Sequence, residues 1–184
     1  MIKAQTDIAD RISQGDIFKD VEFIEYVQEK NGIQEVSKII FPLVIVLTQD
    51  CDLKQDNKFR ENFGDSQDKL LLSVLVAPLY NAEHVYRGEH LADINLSMRK
   101  IESKKTEGNF LRNNETPRYH FMEFSGDIPI VPSIIDFKHY FSVNVNYLKT
   151  IKRTNFICKV SELYRENISH RFAHFLSRIG LPQD

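Results

Sequence analysis

The apolar positions of this chain change period several times, and each change marks an element. Ala4, Ile8 and Ile12 recur at helical spacing, and Gly15 stands where a left-handed residue ends a helix, so residues 4 to 13 are expected to form a short helix. From Gly15-Asp16-Ile17-Phe18 to Tyr26 the apolar and aromatic residues predict a first strand. Lys30-Asn31-Gly32 then supplies hairpin-turn chemistry before a second strand over Val36 to Ile40. Pro42 interrupts the ladder, and Leu43-Val44-Ile45-Val46-Leu47 is a continuous run with no polar face, which predicts a central strand buried on both sides. Lys54 to Lys69 is rich in Asp, Asn, Gln and Lys, too polar to offset its ordering entropy, and reads as a mobile loop. Leu70 to Leu79 is the second strong apolar strand.

Beyond it, Leu91, Ile94, Met98 and Ile101 mark one face of an amphipathic helix inserted between strands, with Lys104 to Asn109 as its polar exit. Arg118 to Phe124 and Ile128 to Val131 are expected as short strands divided by a turn at Gly126. In Phe141-Ser142-Val143-Asn144-Val145-Asn146-Tyr147 the alternation is strict and predicts a half-exposed strand. Phe156, Cys158 and Val160 repeat the period of two. Ser161 is placed to cap a final helix whose buried stripe is Ile168, Phe172, Phe175 and Ile179, with Gly180-Leu181-Pro182 as a Schellman-like stop. The pattern therefore predicts one α+β domain over residues 1 to 184. Its β-rich core covers about 15 to 160, a helical insertion about 82 to 104, and a docked C-terminal helix about 161 to 179. No repeat of solenoid length and no low-complexity segment interrupts it.

Composition narrows the classes. A chain of 184 residues with 42% hydrophobic and 27% charged residues can bury one real core, and two domains would be cramped. Lys and Arg number 24 against 26 Asp and Glu, so the net charge of −2 gives no global field to draw in a polyanion; nucleic-acid contact must use a local patch. The N-terminal Met1-Ile2-Lys3-Ala4-Gln5-Thr6-Asp7 carries charges where a secretory signal needs an apolar stretch. The longest apolar run, Phe41 to Leu47, is too short to span a bilayer, and a cytoplasmic protein without membrane contact is expected. Two cysteines, Cys51 and Cys158, make neither a four-cysteine zinc site nor a disulfide framework. There is no Gly-rich phosphate loop, no Gly-x-Ser-x-Gly elbow and no dinucleotide fingerprint. Nucleotide-dependent enzymes and serine hydrolases are set aside, and no cofactor is expected.

Gly15-Asp16-Ile17 opens a strand, Pro42 to Leu47 ends in Thr48, Val74-Leu75-Val76-Ala77-Pro78 follows, and Ile134-Ile135-Asp136 precedes a last strand. This order resembles the PemK/MazF growth-inhibitor family over about half the chain. The resemblance implies an SH3-like β-barrel, here with an inserted helix and a docked C-terminal helix. It also implies a homodimer that acts on RNA or single-stranded DNA in a bacterial toxin–antitoxin or phage-defence setting, with an antitoxin-like peptide or a defence-complex subunit as protein partner. The family's Arg before the Pro-headed strand and its Thr or Ser after the Val-x-Pro strand have no counterpart: Lys38 and Tyr80-Asn81 occupy those neighbourhoods. The fold can outlast the ribonuclease, which leaves a non-catalytic interaction module as the alternative. Thr48-Gln49-Asp50-Cys51-Asp52-Leu53 with Arg171-Phe172 and Arg178 also resembles a group of uncharacterised bacterial proteins.

Candidate chemistry gathers first at Gln49-Asp50-Cys51-Asp52, because side chains at the C-terminal end of a buried strand emerge at the surface. A hydrolase built on Asp50, Cys51 and Asp52 would need a neighbouring His, since flanking carboxylates oppose thiolate formation. The alternative is a packed Cys51 with Asp50 and Asp52 capping a turn. A metal site would combine Asp50 or Asp52 with His84, His90 or His120, but the spacing does not support one. His170 and His174 share a helix face without the Glu of a metalloprotease, so solvent-facing histidines and no metal are expected. Arg171, His174 and Arg178 line one flank of the last helix, a cationic strip for phosphates or an acidic partner, or simply a solvated face. Arg118-Tyr119-His120-Phe121 offers, in Arg118 and His120, the residue types that neutralise and stack on single strands.

Overall fold

The computed structural model describes residues 1–61, 66–101 and 106–178. Strands β1 (Ala4–Gln5), β2 (Asp16–Lys30), β3 (Ile33–Val46), β4 (Ser73–Asn81), β5 (Tyr119–Met122), β6 (Ser133–Asp136), β7 (Phe141–Asn144) and β8 (Phe156–Val160) build the sheet. Around it lie α1 (Asp50–Glu61), α2 (Ala82–Arg87), α3 (Thr106–Arg112), α4 (Val145–Asn155), α5 (Glu162–Leu176) and two 3₁₀ turns at Ala92–Ile94 and Phe137–His139. The architecture is mixed α+β with a curled antiparallel half-barrel. The strand order is β1-β8-β2-β3-β4-β6-β5, with β7 also paired to β4, and a single bridge between Ile2 and Phe124 brings the two ends of the sheet together.

The continuous apolar run becomes the centre of the sheet, as its pattern requires. Val44 and Ile45 pair with Phe18 and Ile17 of β2 on one side, Val44 to Val46 pair with Pro78 to Val76 of β4 on the other, and all three are buried. Ile17, Ile45 and Ala77 face one way and pack under Ile168, Phe172 and Phe175 of α5. Phe18, Val44, Val46 and Val76 face the other way and are covered by Leu53 of α1 and Leu148 of α4. Burial on both faces is why this strand shows no alternation. Pro42 is tolerated because β3 meets β4 only from Val44 onward, so the proline stands beside an open edge where no ladder hydrogen bond is lost. At the other end of the hairpin Asn31 and Gly32 both take left-handed backbone, φ 56° and 77°, the type I′ geometry their sequence encodes.

Several expected elements differ. Residues 4–13 are not helical: Ala4 and Gln5 pair with Val160 and Lys159, and Ile8 is exposed, so only Ile12 of the apparent stripe is buried. Residues 54–61, expected in a mobile loop, are the body of α1. Asp56 is buried there, accepting from Arg60 Nε and from the Leu71 backbone N–H, while Arg60 donates to the Leu71 carbonyl at 2.7 Å. No single helix runs from Leu91 to Ile101, because Gly88 in left-handed backbone closes α2 and Asn95 closes the 3₁₀ turn after it. Residues 128–131 carry no strand, and β6 begins at Ser133. The strand at Phe141 stops at Asn144, whose side chain accepts the Asn146 N–H and starts α4. The C-terminal helix forms where expected with its stripe buried, although Ser161 makes no side-chain cap bond. Ile179, the Gly180-Leu181-Pro182 stop and the start of the Lys104–Asn109 exit lie outside the described residues. Among the described residues no helix is long and apolar enough to cross a membrane.

Candidate functional site

Asp50 begins α1 and is held on several sides. Arg11 grips it through two nitrogens at 2.8 and 3.0 Å, the Gln14 N–H donates to it, and Arg165 of α5 approaches at 3.6 Å. Burial works against the charged form, yet Arg11 and Arg165 outweigh it and hold the carboxyl below its usual range. A carboxylate so occupied fastens the N-terminal segment, α1 and α5 together, and is no free base. Cys51 is exposed rather than packed, with Sγ 3.6 Å from Asp52 Oδ1, and Asp52 and Gln49 are exposed as well. The cleft in front of them is also lined by Glu166, Ser169 and His170, so the structure does place an imidazole beside this turn.

The cationic strip separates. His174 is exposed, as is Arg178, which folds back over the Phe175 ring at 3.9 Å and donates to the Phe175 carbonyl. Arg171 turns inward, donating to the carbonyls of Asn114, Thr116 and Tyr119, and thereby carries the loop ahead of β5. Three acceptors occupy it, so it is corrected from a phosphate contact to a structural clamp. His120 is corrected likewise. It alternates into the core of β5, 4% exposed beside Phe137, where burial and the nearby Arg171 push its pKa down to about 3.

Arg118 leads instead to a cluster that no local motif announces. It grips the fully buried Asp136 through Nε and Nη2 at 2.8 and 2.5 Å, and the Lys138 N–H donates to the same carboxylate at 3.0 Å. His139, one turn on, brings Nδ1 to 3.6 Å from Asp136 Oδ2 and to 3.1 Å from the Tyr80 hydroxyl. His90 completes the group, its ring centre 4.8 Å from that of Tyr80 and 6.3 Å from that of His139. Neither His90 ring nitrogen has a hydrogen-bond partner of good geometry, although the His84 carbonyl is near enough to favour its protonated form. Burial is the main cause holding both imidazoles below their ordinary pKa. Asp136 acts in the opposite sense, and Arg118, which neutralises that carboxylate, adds to the lowering. Burial likewise raises the pKa of the Tyr80 hydroxyl, which stays protonated.

Among the described residues, His90, Asp136 and His139 are the three metal-ligand types whose donor atoms converge, all within 4.8 Å of one another. His90 borders two cavities. One, of about 310 Å³, runs between Phe41-Pro42 of β3 and Tyr80-Asn81 of β4; the other, of about 340 Å³, is lined by Arg118, Tyr119 and Phe110. Sequence reasoning named Arg118 and weighed His90, but passed over His139. Forty-nine positions separate the two histidines, and only the pairing of β4 with β6 brings them together. Compared with known proteins, the chain matches no family model, no curated protein and no solved structure.

Proposed function

We propose that this protein acts on nucleic acid, RNA or single-stranded DNA, as a divergent PemK/MazF-like barrel of a bacterial toxin–antitoxin or phage-defence system. The pair of cavities bordered by His90 is then its phosphate-handling site. One observation carries the reading: His90 borders both cavities, with Tyr80 beside it in the one that runs along Pro42 and Arg118 beside it in the other, and His139 reaches the Tyr80 hydroxyl at 3.1 Å, in the neighbourhood in which the family resemblance places its own functional residues. Tyr80 and Asn81 stand where the family has Thr or Ser, so the chemistry must be redistributed. At neutral pH an uncharged imidazole can take a proton from an attacking hydroxyl, and the Tyr80 hydroxyl can give one to a leaving oxygen. Arg118 puts positive charge beside the cavity, with Tyr119 stacked on it at 4.9 Å and Phe110 as an exposed ring for a base. The test is incubation of the purified protein with RNA and with single-stranded DNA at low salt. Binding that weakens steeply with salt, and loss of binding or cleavage in His139→Ala, support the reading; neither binding nor cleavage at low salt overturns it.

A second reading, a protein-interaction module, is favoured by the outer half of the β2–β3 hairpin. Ile24, Val27, Val36 and Ile40 are each more than half exposed and share one face of the ribbon, with Glu22 paired to Lys38 at 2.6 Å on its flank. An antitoxin-like peptide, a defence-complex subunit or a second copy of this chain would cover that stripe. Light scattering of the protein alone and a pull-down with Ile24→Lys/Val36→Lys as the control distinguish these partners.

A further inference from the structure

We propose that His90, Asp136 and His139 form a binding site for one divalent transition-metal ion, of which Zn²⁺ is the type. This inference is independent of what the cleft acts on. Two imidazoles and one carboxylate are a donor set that zinc and its neighbours accept with positions left open for water or substrate. The distribution of hydrogen bonds around Asp136 gives the set its direction. Oδ1 is occupied by Arg118 Nε and the Lys138 N–H, whereas Oδ2 has Arg118 Nη2 as its short contact and its remaining side faces His139 Nδ1; the Tyr80 hydroxyl, 3.1 Å from that nitrogen, must turn its proton away to leave the lone pair to the ion. That Oδ2–Nδ1 gap of 3.6 Å is too long for a hydrogen bond. It is close to the ~3.4 Å edge of a tetrahedron whose ligands stand about 2.0–2.1 Å from the metal.

His90 supplies an independent observation. A half-buried imidazole with neither nitrogen in a good hydrogen bond has lost solvation without replacement, which a native structure rarely tolerates. A cation between the two imidazoles and the carboxylate would satisfy it. Arg118 then plays the part that outer partners play at metal sites, fixing the orientation of the ligating carboxylate. It also lowers the affinity, because the ion shares Asp136 with a guanidinium. Micromolar binding is expected rather than the tighter hold of a closed structural site.

The experiment uses the full chain, treated with chelator and titrated with Zn²⁺ by calorimetry and with Co²⁺ by visible absorption. The expected result is one equivalent bound, with the intense bands of low-coordinate cobalt. His90→Ala and His139→Ala each weaken binding more than ~100-fold, a larger loss than an outer-shell change produces. The double variant His170→Ala/His174→Ala, which removes the exposed pair on α5, binds as the parent does. If either alanine variant fails to fold, by thermal melting without metal, the Gln variant takes its place. The inference is overturned if no stoichiometric binding occurs, or if binding survives loss of His90 and His139, and disappearance with His170 and His174 would then place the ion on α5. Since binding is read on the protein alone, its failure is distinct from a failure to bind or cleave RNA.

Discussion

Cys51 and Cys158 carry the same thiol into opposite surroundings. Cys158 is fully buried on β8, where burial, with Asp16 nearby, pushes its pKa up to about 12, while Cys51 is exposed on the first turn of α1. In the native protein one thiol should react promptly with a disulfide reagent at pH 8 and the second only after denaturant is added. Cys51→Ala should leave stability within about 0.5 kcal/mol, as surface substitutions do. His120 makes a pH prediction. Its folded pKa of about 3 lies below the 6.5 of an unfolded histidine, so below pH 6.5 the unfolded chain takes up a proton that the folded chain refuses. Stability should be fully present above pH 6.5 and fall as the pH drops toward 3, by about 2 kcal/mol between pH 7 and pH 5 from this residue alone. Urea midpoints at the two pH values check this, and His120→Leu should flatten the slope.

At the scale of elements, two buried ion pairs attach helices that apolar contact alone would hold weakly. Lys152 of α4 reaches Asp16 at the start of β2 at 2.9 Å, both almost fully buried, and also donates to the Arg11 carbonyl. Burial outweighs the lysine in setting the Asp16 pKa above its ordinary value, so the carboxylate is already costly to keep charged. Lys152→Met should therefore destabilise by about 3–5 kcal/mol, and Asp16→Asn added to it should recover part of the loss, as a urea-denaturation double-mutant cycle would show. Asp56 and Arg60 do the same for α1. Asp56→Ala leaves the Leu71 N–H and Arg60 Nε without their acceptor and should lower stability by about 2–4 kcal/mol, with loss of far-ultraviolet helix signal before global unfolding. These contacts also explain why α1 was illegible in the sequence. It buries only Leu53 and Asp56, so its twelve residues carry no apolar stripe, and its stability comes from a carboxylate whose partner lies beyond the helix. The β7–α4 boundary was hidden for another reason: Val145 continues the alternation, and Asn144 turns the chain by a side-chain bond that period-counting does not register.

Across the whole molecule the sheet is unevenly supported. Its centre, Ile17 and Phe18 with Val44 to Val46 and Val74 to Ala77, has strands or helices on every side, whereas the hairpin from Glu25 to Lys38 is a two-stranded ribbon exposed over most of both faces. Such a ribbon is marginally stable by itself. In hydrogen exchange the amides of residues 25–38 should exchange orders of magnitude faster than those of 44–46 and 74–77, unless a partner covers the stripe of Ile24, Val27, Val36 and Ile40. Local order along the chain was enough to determine the doubly buried strand at Val44 to Val46, the Asn31-Gly32 turn and the apolar face of α5, because each depends on neighbours a few positions away and on a period set by backbone geometry. The cluster of His90, Asp136 and His139 was decided only by the tertiary structure. Its members come from the turn after α2, the end of β6 and the 3₁₀ turn that follows, and their burial and mutual distances are properties of strands β4 and β6 lying side by side. The same holds for which cations turned inward: spacing put Arg171 and Arg178 on one helix flank, but α5 ends at Leu176 before Arg178, and the carbonyls that draw Arg171 out of solvent come from the segment that leads into β5.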